Sequence, residues 1–173
     1  NEATGHLVGV AQTANQLGLV CQNAGRPAEA ETWHRRALAI AEQLNSQKEI
    51  ALSANNLANL LLDVVAQPPA ARPTPLQGRD LLAEAAALAA WAADIREQLN
   101  DPSSEMWATY NILAGIAERR GQGEAVRAWR RKERASFAAF PGALAQIKQF
   151  EPLMHGVVRA CSDEQERPNV SAM

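Results

Sequence analysis

Three asparagines, Asn15, Asn55 and Asn111, each stand two residues before a leucine that is followed by a small residue: Asn15-Gln16-Leu17-Gly18, Asn55-Asn56-Leu57-Ala58 and Asn111-Ile112-Leu113-Ala114. A carboxamide donates and accepts hydrogen bonds, so an asparagine repeated at one position suits it to pairing with the peptide groups of an extended ligand. The other reactive types are scattered. His6, His34 and His155 are far apart, and Glu31-Thr32-Trp33-His34 is an isolated Glu-x-x-His, half of a metal site with no second half. Neither Cys21 nor Cys161 has a histidine near it in sequence, and no Gly-x-Ser-x-Gly or glycine-rich phosphate loop occurs. Gly121-Gln122-Gly123 reads as a turn between helices. These residues assign no metal, no cofactor and no enzymatic role.

The strongest local charge feature is basic: Arg119, Arg120, Arg127, Arg130, Arg131, Lys132 and Arg134. Arg127, Arg130, Arg131 and Arg134 share one helical face. A nucleic-acid surface would interleave aromatics on that face, whereas Trp129 and Phe137 fall toward the apolar side, and Glu124 and Glu133 are placed to pair with the arginines. A solvated outer face is preferred to a phosphate site, with an acidic protein partner between the two.

The elements that must carry these residues are helices. The chain has 173 residues, 47% hydrophobic but only 5% aromatic, rich in alanine and leucine and poor in β-branched residues. A net charge of −2 gives no global field toward nucleic acid or acidic membranes. Two cysteines make no disulfide framework, so a reduced, cytoplasmic setting is the default. The longest apolar run, Leu81 to Ala93, is interrupted by Glu84 and falls short of the roughly 20 residues a membrane span needs. No signal peptide is visible.

The asparagine-leucine phrase recurs after 40 and then 56 residues. Most of the extra length lies in 66–78, where four prolines rule out a continuing helix and predict an extended loop. Ala37 to Asn45 aligns with Ala92 to Asn100, and Glu29-Ala30 with Glu84-Ala85, so the second helices repeat too. In the third copy Glu124-Ala125 and Trp129 remain, while Lys132 or Glu133 takes the position of the second alanine. Helices are expected near 5–24, 27–44, 47–64, 79–99, 102–120 and 123–139. Ser46-Gln47-Lys48-Glu49 reads as a capping box, Asp101-Pro102 as a helix entry, and Gly25 and Gly121 as left-handed helix exits. After Pro141-Gly142, apolar residues from Leu144 to Cys161 recur at helical spacing. They predict a capping helix over 142–161 that covers the end of the stack, followed by a disordered tail over 163–173.

Leu17-Gly18 in one helix, then Gly25-Arg26-Pro27-Ala28-Glu29-Ala30 and, seven residues on from Ala30, Ala37-Leu38 in the next, resemble the tetratricopeptide repeat signature. The period of about 40 and the phrase Asn-Asn-Leu-Ala are similar to the subclass of kinesin light chains and many bacterial members. The resemblance covers roughly 7–140 and implies an all-α, right-handed solenoid of three antiparallel helix pairs, about 5–45, 46–100 and 101–140, forming one domain with the cap. It implies that the first helices line a concave groove. There Asn15, Asn55 and Asn111 would point from the wall, with Gln12, Leu19, Gln22, Leu52, Asn59, Leu62, Ala108, Gly115 and Glu118 on the same face. The blander alternative is that each asparagine caps or solvates a helix; its threefold recurrence favours the groove. Gln12, Leu52 and Ala108 are not basic, which argues against a carboxylate clamp for a chaperone C-terminus. Trp33, Trp91, Trp107 and Trp129 are expected to pack between layers.

The function implied is a non-catalytic protein-interaction module that binds a peptide, a helix or an adjoining domain of its own chain. One alternative is a regulatory or sensor arm of a larger signalling protein, with which the opening Asn1 in place of Met fits. Another is a structural cap or a self-association module.

Overall fold

The computed structural model describes residues 2–101 and 104–140. Six α-helices follow one another among them, with no strand: α1 Glu2–Asn23, α2 Pro27–Gln43, α3 Gln47–Val65, α4 Leu81–Leu99, α5 Met106–Arg119 and α6 Gly123–Ala139. The expected cap over 142–161 and tail over 163–173 lie outside the described residues. The helices form three antiparallel pairs, α1 with α2, α3 with α4 and α5 with α6. Each new pair leans on the one before: α3 packs on α2, α5 packs on α4, and α1, α3 and α5 lie side by side. This is an all-α solenoid.

Small residues let these axes approach closely. Ala30, Ala37 and Ala41 of α2 and Ala85, Ala89 and Ala92 of α4 are 0% exposed. Leucines fill the spaces between: Leu57, Leu60 and Leu61 of α3 and Leu81 of α4 are sealed from water. The turns within the first and third pairs need left-handed backbone, and Gly25 (φ 71°) and Gly121 (φ 67°) supply it without a Cβ penalty. Asn45 and Asn100 do the same after α2 and α4, with φ of 49° and 47°.

Three local expectations differ in the structure. The proline-rich stretch 66–78 is not an extended loop. It folds back in two single 3-10 turns, Pro69–Ala71 and Thr74–Leu76, and buries Leu76 completely in the main core. The Arg72 guanidinium stitches it to α3 by donating to the carbonyls of Val65 and Gln67, both at 3.2 Å. The capping box at Ser46 does not form: the Ser46 hydroxyl makes no cap bond, and the Glu49 carboxylate accepts instead from Gln12 of α1 at 3.0 Å. The joint between repeats competes for the same carboxylate and wins. Finally, α5 starts at Met106 rather than 102; the Glu105 carbonyl at its entry accepts from the buried guanidinium of Arg96 at 2.9 Å.

The outer helices are joined by an ion cluster. Arg79, just past the insertion, reaches Glu31 of α2 at 2.7 Å and Glu84 of α4 at 2.6 Å, and Arg35 pairs with the same two carboxylates. Burial alone would raise the Glu84 carboxyl, but hydrogen bonds from Arg35 and Arg79 outweigh it and hold the group below the usual carboxylate range.

Candidate functional site

Exposure along α3 defines the solvent face of the first helices. Lys48, Leu52, Asn56, Asn59 and Asp63 recur at helical spacing and are the exposed or half-buried residues of this helix's solvent side. Its flanks are closed by α1 on one side and α5 on the other. On α1 the matching strip is Gln12, Gln16, Leu19 and Asn23; on α5 it is Ala108, Asn111, Gly115 and Glu118. Leu62 lies half-buried over Gly115, where an added Cβ would come within 2.9 Å of its Cδ2, so α3 and α5 touch almost backbone to side chain.

The three asparagines do not form an exposed ladder. Asn15 is 2% exposed and Asn55 7%, and both are turned into the joints between repeats. Asn15 donates from Nδ2 to Ser53 Oγ of α3 at 2.9 Å, and its Oδ1 lies 3.1 Å from His34 Nδ1 of α2. Asn55 Oδ1 accepts from Thr109 Oγ1 of α5 at 2.8 Å, and that hydroxyl accepts from Arg96 Nη1 at 2.7 Å. Ser53 and Thr109 occupy equivalent positions, so the joint is one device used twice: the asparagine of one repeat bonds the hydroxyl of the next. Asn111 is exposed, and Arg130 of α6 donates to it at 2.7 Å.

Two further predicted residues also serve the joint. Gln12 bonds Glu49, and Gln22 donates to Asp63 at 2.6 Å. Glu118 pairs with Arg130 at 3.1 Å. Leu19 and Asn59 stay half-buried on the open face. Replacing Thr109 by valine is expected to cost about 1–3 kcal/mol in a urea melt, because the Asn55 oxygen and an Arg96 N–H are left buried without partners. A loss below about 0.5 kcal/mol would show that water replaces the hydroxyl.

His34 is the most enclosed polar side chain of the first pair. It is 0% exposed, and its ring lies flat against Gly18. The Asn15 oxygen can only accept, so the proton sits on Nδ1 and Nε2 remains a buried acceptor without a partner. Burial pushes the imidazole pKa down to about 4.

On α6, Arg130 is held by Asn111, Glu118 and Glu133, whereas Arg127, Arg131 and Arg134 are exposed and have no ion-pair partner among the described residues. Trp129 stacks on Tyr110 with centroids 5.7 Å apart, and Phe137 meets Trp107 edge-on at 5.4 Å. The aromatics thus face inward, away from the arginines. Lys132, in the place of the second alanine, lies 5.0 Å from the Trp129 ring and 5.3 Å from that of Tyr110.

Sequence reasoning missed Asn56, Asp63 and the hydroxyls. The hydroxyls were signalled: Thr13, Ser53 and Thr109 each stand two residues before an asparagine. Asn56 was obscured by Asn55, its neighbour, which holds the aligned position.

Helix pairs that repeat one joint, with small residues at one set of positions, define a repeat scaffold. The family comparison gives the same answer: residues 9–72 match the tetratricopeptide repeat model. That stretch carries tetratricopeptide repeats. None of the curated proteins compared with it gives a significant match. Tetratricopeptide repeats are non-catalytic scaffolds that generally mediate protein–protein interaction. No helix of the described residues is long and apolar enough to cross a membrane.

Proposed function

We propose that the protein is an adaptor whose first-helix face is a groove for an extended peptide segment of a partner protein. The observation that carries this reading is the pair Asn56 and Asn59. Both carboxamides are half-buried, share the open side of α3, and make no hydrogen bond within the described residues. A partly desolvated amide without a partner is a good match for the N–H and C=O of a peptide laid across it. Leu52 and Leu19, half-buried on the same face, give apolar contact for a side chain of that peptide. Lys48 at one end of the strip and Asp63 at the other give the groove a charge polarity that favours one peptide direction. Asn15 and Asn55 support this face from behind rather than touching the ligand.

The test is selection of a displayed random peptide library on the protein. Enriched peptides are expected to bind Asn56→Ala/Asn59→Ala at least about tenfold more weakly, the loss of two or so hydrogen bonds. Circular dichroism should show an unchanged melt, since neither side chain bonds the fold. Enriched peptides that hold the variant as well as the wild type would place binding elsewhere and sink the reading.

A further inference from the structure

The joint between α4 and α5 contains a cation that the fold does not ask for. Ala37 to Asn45 aligns with Ala92 to Asn100, which sets Arg96 at the position of Ala41, an alanine 0% exposed in the preceding repeat. That earlier joint makes its asparagine–hydroxyl bond, Asn15 to Ser53, with no guanidinium bonded to it. Arg96 is buried with its charge: it has no ion pair among the described residues, and burial pulls its pKa down against the attraction of Glu105. An arginine enclosed in this way is costly unless something answers it. Its Nη1 donates to the Glu105 carbonyl and to Thr109 Oγ1, whereas Nε and Nη2 make no hydrogen bond among the described residues. Those two nitrogens form one edge of the planar guanidinium fork. Arg96 lines a cleft of about 210 Å³ between the start of α3, the end of α4 and the entry to α5. The Ser104 hydroxyl belongs to the same wall, enclosed and without a hydrogen-bond partner among the described residues. Leu52 and Leu99 give the cleft an apolar side, and Lys48 and Glu105, both exposed, place opposite charges at its rim.

We propose that this cleft binds a free α-amino acid with an aliphatic side chain. The carboxylate takes the Nε–Nη2 edge of Arg96 in the bidentate geometry that guanidinium groups favour. The Ser104 hydroxyl donates a further bond to it, and Lys48 adds positive charge at the mouth. The ammonium group faces Glu105; Asp101 also lines the wall but has a partner within the protein, so nothing is required of it. The side chain lies against Leu52 and Leu99. A simple anion would meet Glu105 as a like charge, and a simple amine would add a second cation beside a buried guanidinium, whereas a molecule that carries both charges meets each with its opposite. The cleft is smaller than the roughly 300 Å³ at which pockets for drug-sized ligands begin, which suits a ligand of this size. The site is separate from the peptide groove, whose carboxamides Asn56 and Asn59 lie further along α3.

The probe is L-leucine, titrated into the isotopically labelled, intact chain and followed by NMR. Saturable shifts are expected at Leu52, Leu99 and Ser104, half complete below about 10 mM. Two truncated probes separate the charges: isocaproate lacks the ammonium group and isoamylamine lacks the carboxylate, and each should bind at least about tenfold more weakly. Arg96→Ala, which restores the alanine of the preceding repeat, should abolish binding. Glu105→Gln keeps the fold, since the side chain is exposed and its backbone carbonyl still accepts from Arg96. This variant should weaken L-leucine at least about tenfold and isocaproate not at all. Asn56→Ala/Asn59→Ala should bind L-leucine normally, so that failure of the peptide groove and failure of this site are separable. The proposal is overturned by no saturable shift at about 10 mM, by isocaproate binding as tightly as L-leucine, by equal binding to Glu105→Gln, or by shifts confined to other faces. Tighter binding of an acetylated peptide that ends in leucine would give the cleft to a chain terminus, and would also overturn it.

Discussion

Replacing Gly18 by alanine is expected to lower the unfolding free energy by about 1–3 kcal/mol, the range for a methyl forced into a filled core. A Cβ at this position would lie 2.5 Å from His34 Cε1, 2.6 Å from Nδ1 and 2.7 Å from Nε2. The ring cannot step aside cheaply, because it is fully enclosed and bonded to Asn15, which is itself bonded to Ser53 of the next repeat. Displacement at Gly18 is therefore felt across the joint. The melting temperature should fall by about 5–10 °C. Gly9→Ala makes the internal comparison: nothing lies within 4 Å of the added methyl there, so the helix should gain slightly from alanine's higher propensity. In the double variant Gly18→Ala/His34→Ala the losses should be less than additive, since the second change removes the clash created by the first. A Gly18→Ala protein as stable as the wild type would mean that α1 and α2 separate without penalty, and the joint as described here would be wrong.

The second large effect is on pH dependence. His34 titrates near 4 in the folded protein and near 6.5 when exposed. Between those values the unfolded chain binds a proton that the folded chain does not, so stability is complete above about pH 6.5 and falls as the pH drops through the window. The loss approaches about 1.4 kcal/mol per pH unit and totals about 3 kcal/mol by pH 4. His34→Gln keeps a donor for the Asn15 oxygen but takes up no proton, so its melts should be flat between pH 6.5 and 5 where the wild type declines. Parallel curves for the two proteins would show that His34 is protonated without cost, and that water reaches Nε2.

Much of the architecture was legible in the chain because it repeats. The spacing of Leu17, Leu57 and Leu113 with their small neighbours set the first helices, and Ala30, Ala37, Ala85 and Ala92 set the second. Local signals also placed the left-handed exits at Gly25 and Gly121. What the sequence concealed is where tertiary contact overrides local preference. Glu49 looks like half of a capping box, but a neighbouring helix offers it Gln12. Prolines forecast an irregular segment at 66–78, yet nothing local announces that Leu76 enters the core or that Arg79 will bridge two helices. The candidate site suffered from the same cause. Recurrence marks a position as structurally equivalent, and at Asn15 and Asn55 the equivalent task is to lock repeats together. The residues proposed to meet a partner, Asn56 and Asn59, need not recur at all, since each repeat would contribute a different part of the face.

The asparagine–hydroxyl lock also has a mechanical consequence. Each joint is a separate yield point under load, and the two differ in reinforcement. Among the described residues, three side-chain bonds act in parallel between α1 and α3, Gln12–Glu49, Asn15–Ser53 and Gln22–Asp63, whereas between α3 and α5 the polar link is the single relay through Thr109. Stretching or twisting the array should therefore strain it unevenly. The α1–α3 half behaves as the stiff limb of a spring, and the α3–α5 half takes up the deformation.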